Sequence, residues 1–167
     1  MTYAIVYSSQ TGNTALLAQR LKDCLPQSGL LYFGAPHEEA TRAEVLFVGS
    51  WTDKGSCCPE IATFLKSLQG KRVFLFGTAG FGGAESYFAQ IIQRMAQNLP
   101  QDCKLLGSYL CQGKMPPAVR ARYEAMAQQD PEKARPMLEN FERALSHPDQ
   151  ADLEGLERAA AEAWKQA

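Results

Sequence analysis

The sequence has little net charge to work with: 17 lysines and arginines stand against 18 acidic residues in a chain of 167. Without a polybasic field, neither nucleic acid nor an anionic membrane surface is favoured as a partner. No run approaches the roughly 18 apolar residues that a membrane span requires. The opening MTYAIVYSSQTGNT also lacks the basic start and apolar stretch of a secretory signal, so a cytoplasmic location is expected. Cysteine is sparse and odd in number (Cys24, Cys57, Cys58, Cys103, Cys111), and no C-x-x-C pair occurs. This excludes a disulfide framework and a zinc or thioredoxin-type motif, leaving reduced thiols. The two histidines, His37 and His147, sit in the proline-containing stretches APHEE and SHPDQ and read as solvated or capping residues. Two familiar phosphate loops are also missing: there is no G-x-x-x-x-G-K-[ST], and the first turn has no G-x-G-x-x-G. Nucleotide hydrolysis and dinucleotide binding at that turn are therefore disfavoured.

What is present is an alternation. Short apolar, β-branched and aromatic runs at Tyr3–Tyr7, Leu30–Phe33, Val45–Val48, Val73–Phe76 and Leu105–Cys111 are separated by longer segments of helical period. Leu17, Leu21, Cys24 and Leu25 share one helical face; so do Ile61, Leu65 and Leu68, and again Phe88, Ile91, Ile92, Met95 and Leu99. The pattern predicts an α/β fold of three layers, a doubly wound parallel sheet with helices on both faces. Gly34 to Glu44 has no stripe and reads as a loop or one short turn. At 46% hydrophobic, residues 1–167 are expected to form one domain. A polar, proline-punctuated insertion at about 112–148 precedes the last helix. Within it the sequence predicts helices near Ala118–Gln129 and Pro136–Leu145, with Pro131 and Pro136 as helix starts. The last segment places Leu153, Leu156, Ala160, Ala163 and Trp164 on one face, behind an acidic first turn at Asp149 or Asp152, and should dock on the sheet.

Three strand-to-helix turns carry the candidate chemistry. Ser8 to Thr14 (SSQTGNT) joins a strand to a helix with hydroxyls, amides and one glycine but no cation. Free N–H groups at the helix start and the helix dipole favour an anion there; Ser9, Thr11 and Thr14 can add hydroxyl donors, and Gly12 admits a close approach. A hydroxyl-rich helix cap is the alternative reading. Gly49 to Ser56 (GSWTDKGS) puts Trp51 at the carboxyl edge of the sheet, where open α/β sheets bind ligands and where a tryptophan can stack on a planar ring. A core or lid role for Trp51 is the alternative. Gly77 to Gly83 (GTAGFGG) has four glycines in seven positions, leaving peptide groups open to a flat heterocycle and Phe81 as a second aromatic wall; a flexible turn is the alternative. Together the turns describe an anion site beside two ring-contacting loops, as a phosphorylated flavin needs.

On these residues, and above all on Ser9 to Thr14 as an SxTGNT element, the chain resembles the flavodoxin family over about Met1–Cys111 and again in the last helix. The resemblance implies a five-stranded sheet of order 2-1-3-4-5 with FMN at the switch between the first and third strands. It assigns the phosphate to Ser9, Gln10, Thr11, Gly12, Asn13 and Thr14. It assigns the ring to Ser50, Trp51 and Thr52 on one side and Thr78, Ala79, Gly80, Phe81, Gly82 and Gly83 on the other, with Thr52 and Gly80 near the ring nitrogens. No catalytic residue and no metal ligand are expected. The implied function is an electron carrier, a monomer or weak dimer, between a partner reductase and an acceptor. A narrower likeness is to flavodoxin-like proteins working beside a flavin reductase of anaerobes, such as the accessory component of bilirubin reduction.

Three departures bear on that role. The chain is nearly neutral where flavodoxins are usually acidic, the tyrosine usual after the fourth strand is replaced by Phe81 or a glycine, and the 112–148 insertion is extra. Lys54 lies close enough in sequence to Trp51 to favour an anionic reduced flavin, or it faces water. Cys57 and Cys58 form either a redox pair beside the flavin or small residues opening a helix before Pro59. Two other functions remain open on the sequence: a stand-alone FMN-dependent NAD(P)H:quinone-type oxidoreductase, and an FMN-free interaction module.

Overall fold

The computed structural model describes all 167 residues. In chain order these form β1 (Tyr3–Ser8), α1 (Asn13–Cys24), β2 (Leu30–Gly34), a 3-10 turn (Glu38–Arg42), β3 (Val45–Asp53) and β4 (Ser56–Cys57). There follow α2 (Pro59–Ser67), β5 (Arg72–Ala79), α3 (Glu85–Ala96), β6 (Lys104–Gln112), α4 (Pro117–Ala127), α5 (Pro131–Ala144) and α6 (Gln150–Lys165). The five long strands pair in parallel in the order β2-β1-β3-β5-β6, while β4 pairs antiparallel with β3 alone. Leaving out β4, this is the expected 2-1-3-4-5 order.

Successive side chains of a strand point to opposite faces, so each central strand feeds two cores. Tyr3, Ile5, Val45, Phe47, Phe74 and Phe76 meet Leu17 and Leu21 of α1 and Leu156, Ala160 and Ala163 of α6. Ala4, Val6, Leu46, Val48, Val73 and Leu75 meet Ile61, Phe64 and Leu65 of α2 and Met95 of α3. Burial on both faces is why these strands read as nearly unbroken apolar runs. Trp164 of α6 completes the first core, its ring edge-on to Tyr3 at 5.2 Å and stacked near Phe47 at 6.3 Å. Asp149 caps α6 by accepting from the Asp152 N–H, and Asp152 reciprocates on the Asp149 N–H. No helix is long and apolar enough to cross a membrane.

The structure corrects the sequence reading in three places. Gly49–Ser56 is not a loop: β3 runs on to Asp53 and returns as β4 through the two-residue turn Lys54-Gly55, with φ of 49° and 79°. Positive φ at both turn positions is the twist-compatible way to close a tight hairpin, and it puts Lys54 at an exposed tip. Likewise, β5 extends through Gly77, Thr78 and Ala79, which are strand residues. The third correction is that α5 begins at Pro131 and carries Pro136 inside it. Asp130 accepts from the Lys133 N–H and Pro131 takes the first helical position, a stronger start than Pro136. Buried Ala134, Asn140, Phe141 and Ala144 hold the helix through the missing donor at Pro136.

Candidate functional site

Strand register brings the three sequence segments to one edge. Ser8, Ser50, Gly77 and Leu110 are aligned as pairing neighbours across β1, β3, β5 and β6; β1 ends at that level, and β3 and β5 run on past it to Asp53 and Ala79.

At the end of β1, Gly12 caps α1 with φ of +90°, a left-handed conformation that L side chains rarely adopt. This turns the loop so that the N–H groups of Ser9, Gln10, Thr11 and Gly12 find no acceptor within the chain. The first-turn N–H groups of Asn13 and Thr14 extend the series, as helix starts do. Ser9 Oγ accepts from the Ala15 N–H at 3.2 Å. Two predicted hydroxyl or amide contacts have partners inside the protein instead: Asn13 Nδ2 donates to the Lys114 carbonyl at 2.8 Å, and Thr14 Oγ1 lies 3.2 Å from Thr78 Oγ1. Both residues are buried, so here they brace the turn.

At the end of β3, Ser50 is also buried. It donates to the Trp51 carbonyl and accepts from the Cys58 N–H, which ties the hairpin to the start of α2. Trp51 is half-buried and packs against the core on the α2 side. Thr52 Oγ1 donates to the Thr78 carbonyl at 2.9 Å, linking the second segment to the third. Neighbouring Cys57 and Cys58 are free and buried, and burial pushes the Cys57 thiol up, away from the reactive thiolate.

Beyond β5, the Ala79 carbonyl accepts from the Gly113 N–H, and the Gly80 carbonyl accepts from both Gln112 Nε2 and Asn140 Nδ2 at 3.0 Å. A carbonyl has two lone pairs, so Gly80 has no acceptor capacity left for a ligand. Its N–H and that of Phe81 make no hydrogen bond within the chain. Phe81 is 40% exposed. No ionisable side chain occurs between Gly77 and Gly83.

The segment between β6 and α6 also reaches the site, and the sequence reading assigned none of its residues to the cofactor. Lys114 lines a 310 Å³ cavity with Thr11, Gly12 and Asn13, so this segment brings a lysine beside a first turn that has no cation of its own. The same lysine and Thr11 border a 560 Å³ cavity walled by Met115, Pro117 and Phe141. On the opposite flank, Ser8, Ser9 and Gly12 border a 420 Å³ concavity. A larger groove of 610 Å³ lies between the 3-10 turn and α2; no residue of the three segments lines it, and it shares Glu60 with the concavity beside Ser8, Ser9 and Gly12. The only sequence signal for Lys114 was its position just past a strand end.

The Flavodoxin domain family matches the chain over residues 4–161. The chain belongs to the flavodoxin family. It is 42% identical to the flavodoxin-like domain-containing protein BilS of Clostridium symbiosum, over 92% of this chain and 90% of that protein. To the BilS of Clostridioides difficile it is 35% identical, with the same coverage. Among solved structures, a short-chain flavodoxin associated with a bacterial microcompartment aligns with a TM-score of 0.64 at 17% identity, over 100% of this chain and 99% of that one. The flavodoxin cofactor is FMN, and the residues present fit it. An added Cβ at Gly12 would meet nothing within 4 Å, so the N–H series around it opens to space a phosphate can fill. The unpaired N–H groups of Gly80 and Phe81 suit the acceptor edge of a flavin ring.

Proposed function

We propose that this flavodoxin carries electrons between a partner reductase and an acceptor flavoenzyme or reductase. Ser9 to Thr14 hold the FMN phosphate, chiefly through backbone N–H groups. Trp51 with Thr52, and Thr78 to Gly83, border the ring, with Ser50 supporting the first of these. The observation that carries the reading is the series of unpaired N–H groups around Gly12, placed level with two ring-side segments of which the second has no ionisable side chain. Bound FMN supplies the redox chemistry. The protein's residues bind it, orient it and limit water around it, and no acid, base or nucleophile is needed for electron transfer. The exposed Phe81 marks an edge where a partner can approach the cofactor. Likeness over nearly the full chain to proteins named flavodoxin-like domain-containing protein BilS supports a role beside a redox partner.

Purified protein titrated with FMN and with riboflavin tests the binding half of this reading. FMN should bind far more tightly, because only FMN has a phosphate for the Gly12 cradle. Equal affinities would remove the cradle from the site. Potentiometric reduction tests the carrier half: two resolved one-electron steps, with no NAD(P)H:quinone turnover by the protein alone, are expected. Sustained turnover would make the protein an enzyme in its own right.

A further inference from the structure

Asn140 lies in α5, well outside the three sheet-edge segments in sequence, yet it is 3% exposed and every polar atom of its side chain is engaged at the glycine loop. Its Nδ2 donates to the Gly80 carbonyl at 3.0 Å. Its Oδ1 accepts from the Gly82 N–H at 3.4 Å and from Gln112 Nε2 at 3.0 Å. The amide therefore brackets Phe81 much as a neighbouring strand would, bonding the peptide on either side of it. Gln112 adds a second donor to the Gly80 carbonyl. Met115 closes the remaining side: a Cβ at Gly80 would lie 2.6 Å from its Cγ.

The peptide between Gly80 and Phe81 is trans, since the sole cis bond is His147–Pro148. In a trans peptide the carbonyl and the following N–H point in opposite directions. Two donors holding the Gly80 carbonyl toward Asn140 and Gln112 therefore hold the Phe81 N–H pointing away from them, where it has no acceptor in the chain. We infer that Asn140 is a positioning residue of the flavin site, fixing the Gly80–Phe81 peptide so that the Phe81 N–H is presented to the ring in every oxidation state. This rests on the reading that the loop borders the flavin. A donor fixed in place favours electron density accumulating on the ring at that edge, and one free to rotate does not.

The test compares wild type with Asn140→Leu, similar in size but unable to hydrogen-bond. In the apo protein, amide exchange at Gly82 should quicken about tenfold or more, the scale of losing one or two neutral hydrogen bonds. FMN and riboflavin affinities should fall together by about the same factor, leaving their ratio unchanged because the phosphate turn is untouched. The midpoint potential should move to more negative values. A variant that melts at lower temperature but keeps wild-type flavin affinity and potential would overturn the inference, since Asn140 would then serve stability alone. Should Asn140→Leu fail to fold, Gln112→Leu removes one of the two donors and should shift affinity and potential in the same direction by less; no shift overturns the inference. If wild type takes up no flavin, the FMN reading fails. The Gly82 exchange comparison still decides whether the clamp exists.

Discussion

The contact between Thr14 and Thr78 couples the phosphate turn to the ring-side strand, and its strength can be worked out. Both residues are buried, their hydroxyls are 3.2 Å apart, and neither hydroxyl has another partner in the chain. Thr14→Val replaces one hydroxyl by a methyl group of similar size and strands the other in the core, which costs about 1–3 kcal/mol. Thr78→Val does the same from the other side. The double variant removes both polar groups and restores a matched apolar contact, so it should be close to neutral. With the double variant near neutral, the coupling equals the sum of the two single-variant costs, about 2–6 kcal/mol in magnitude and far from additive. In a chain of this size each kcal/mol shifts the melting temperature by roughly 2–4 °C. Urea unfolding of the four apo proteins measures the cycle directly. Single-variant costs that add within about 0.5 kcal/mol would show that the hydroxyls do not bond to each other.

Lys114→Gln should weaken FMN but not riboflavin, by about two- to fivefold, as suits an exposed charge pair, and the difference should vanish at high salt. Isothermal titration at two ionic strengths checks this. Trp51→Ala should lower the affinity of both flavins by about tenfold if its ring stacks on theirs; unchanged affinity and potential would remove Trp51 from the site. With a thiol reagent, exposed Cys24 should label first in the native protein, and buried Cys57, Cys58 and Cys111 only on unfolding. Asp149 and Glu44 hold their carboxyls below the usual range, chiefly through the N–H groups of Asp152 and Thr2 respectively. Their stabilising effect is present above the unfolded carboxylate values of about 4 and is lost as pH falls through the lowered folded ones. Thermal melts should drop on acidification through that window, and less steeply for Asp149→Asn.

The layered fold was legible because burial on both faces writes itself into strands such as Val45–Val48 and Val73–Phe76. The strand–turn–helix shape of SSQTGNT was legible because glycine and hydroxyls between an apolar run and a helical stripe mark a helix start. The β3–β4 hairpin was not, because Ser50, Trp51 and Thr52 break the apolar run that marked the strand, and the positive φ of Lys54 falls on a residue that does not announce it. The contributions of Lys114, Gln112 and Asn140 were hidden for a different reason. Each acts across a gap in sequence, from 28 residues in the Gln112–Asn140 pair to 101 in the Asn13–Lys114 pair, and no local period encodes such a meeting.

The edge-to-face meeting of Tyr3 with Trp164 has a consequence for how the molecule is made. Translation delivers the first strand early, yet the helix that roofs its apolar side is the final element in chain order. Until that helix has left the ribosomal tunnel, Tyr3, Phe47 and Phe74 remain sticky and open to water on one face, a substrate for chaperones rather than a finished core. Closure depends on the most distant residues finding one another, so the nascent chain should gain protease resistance late and abruptly.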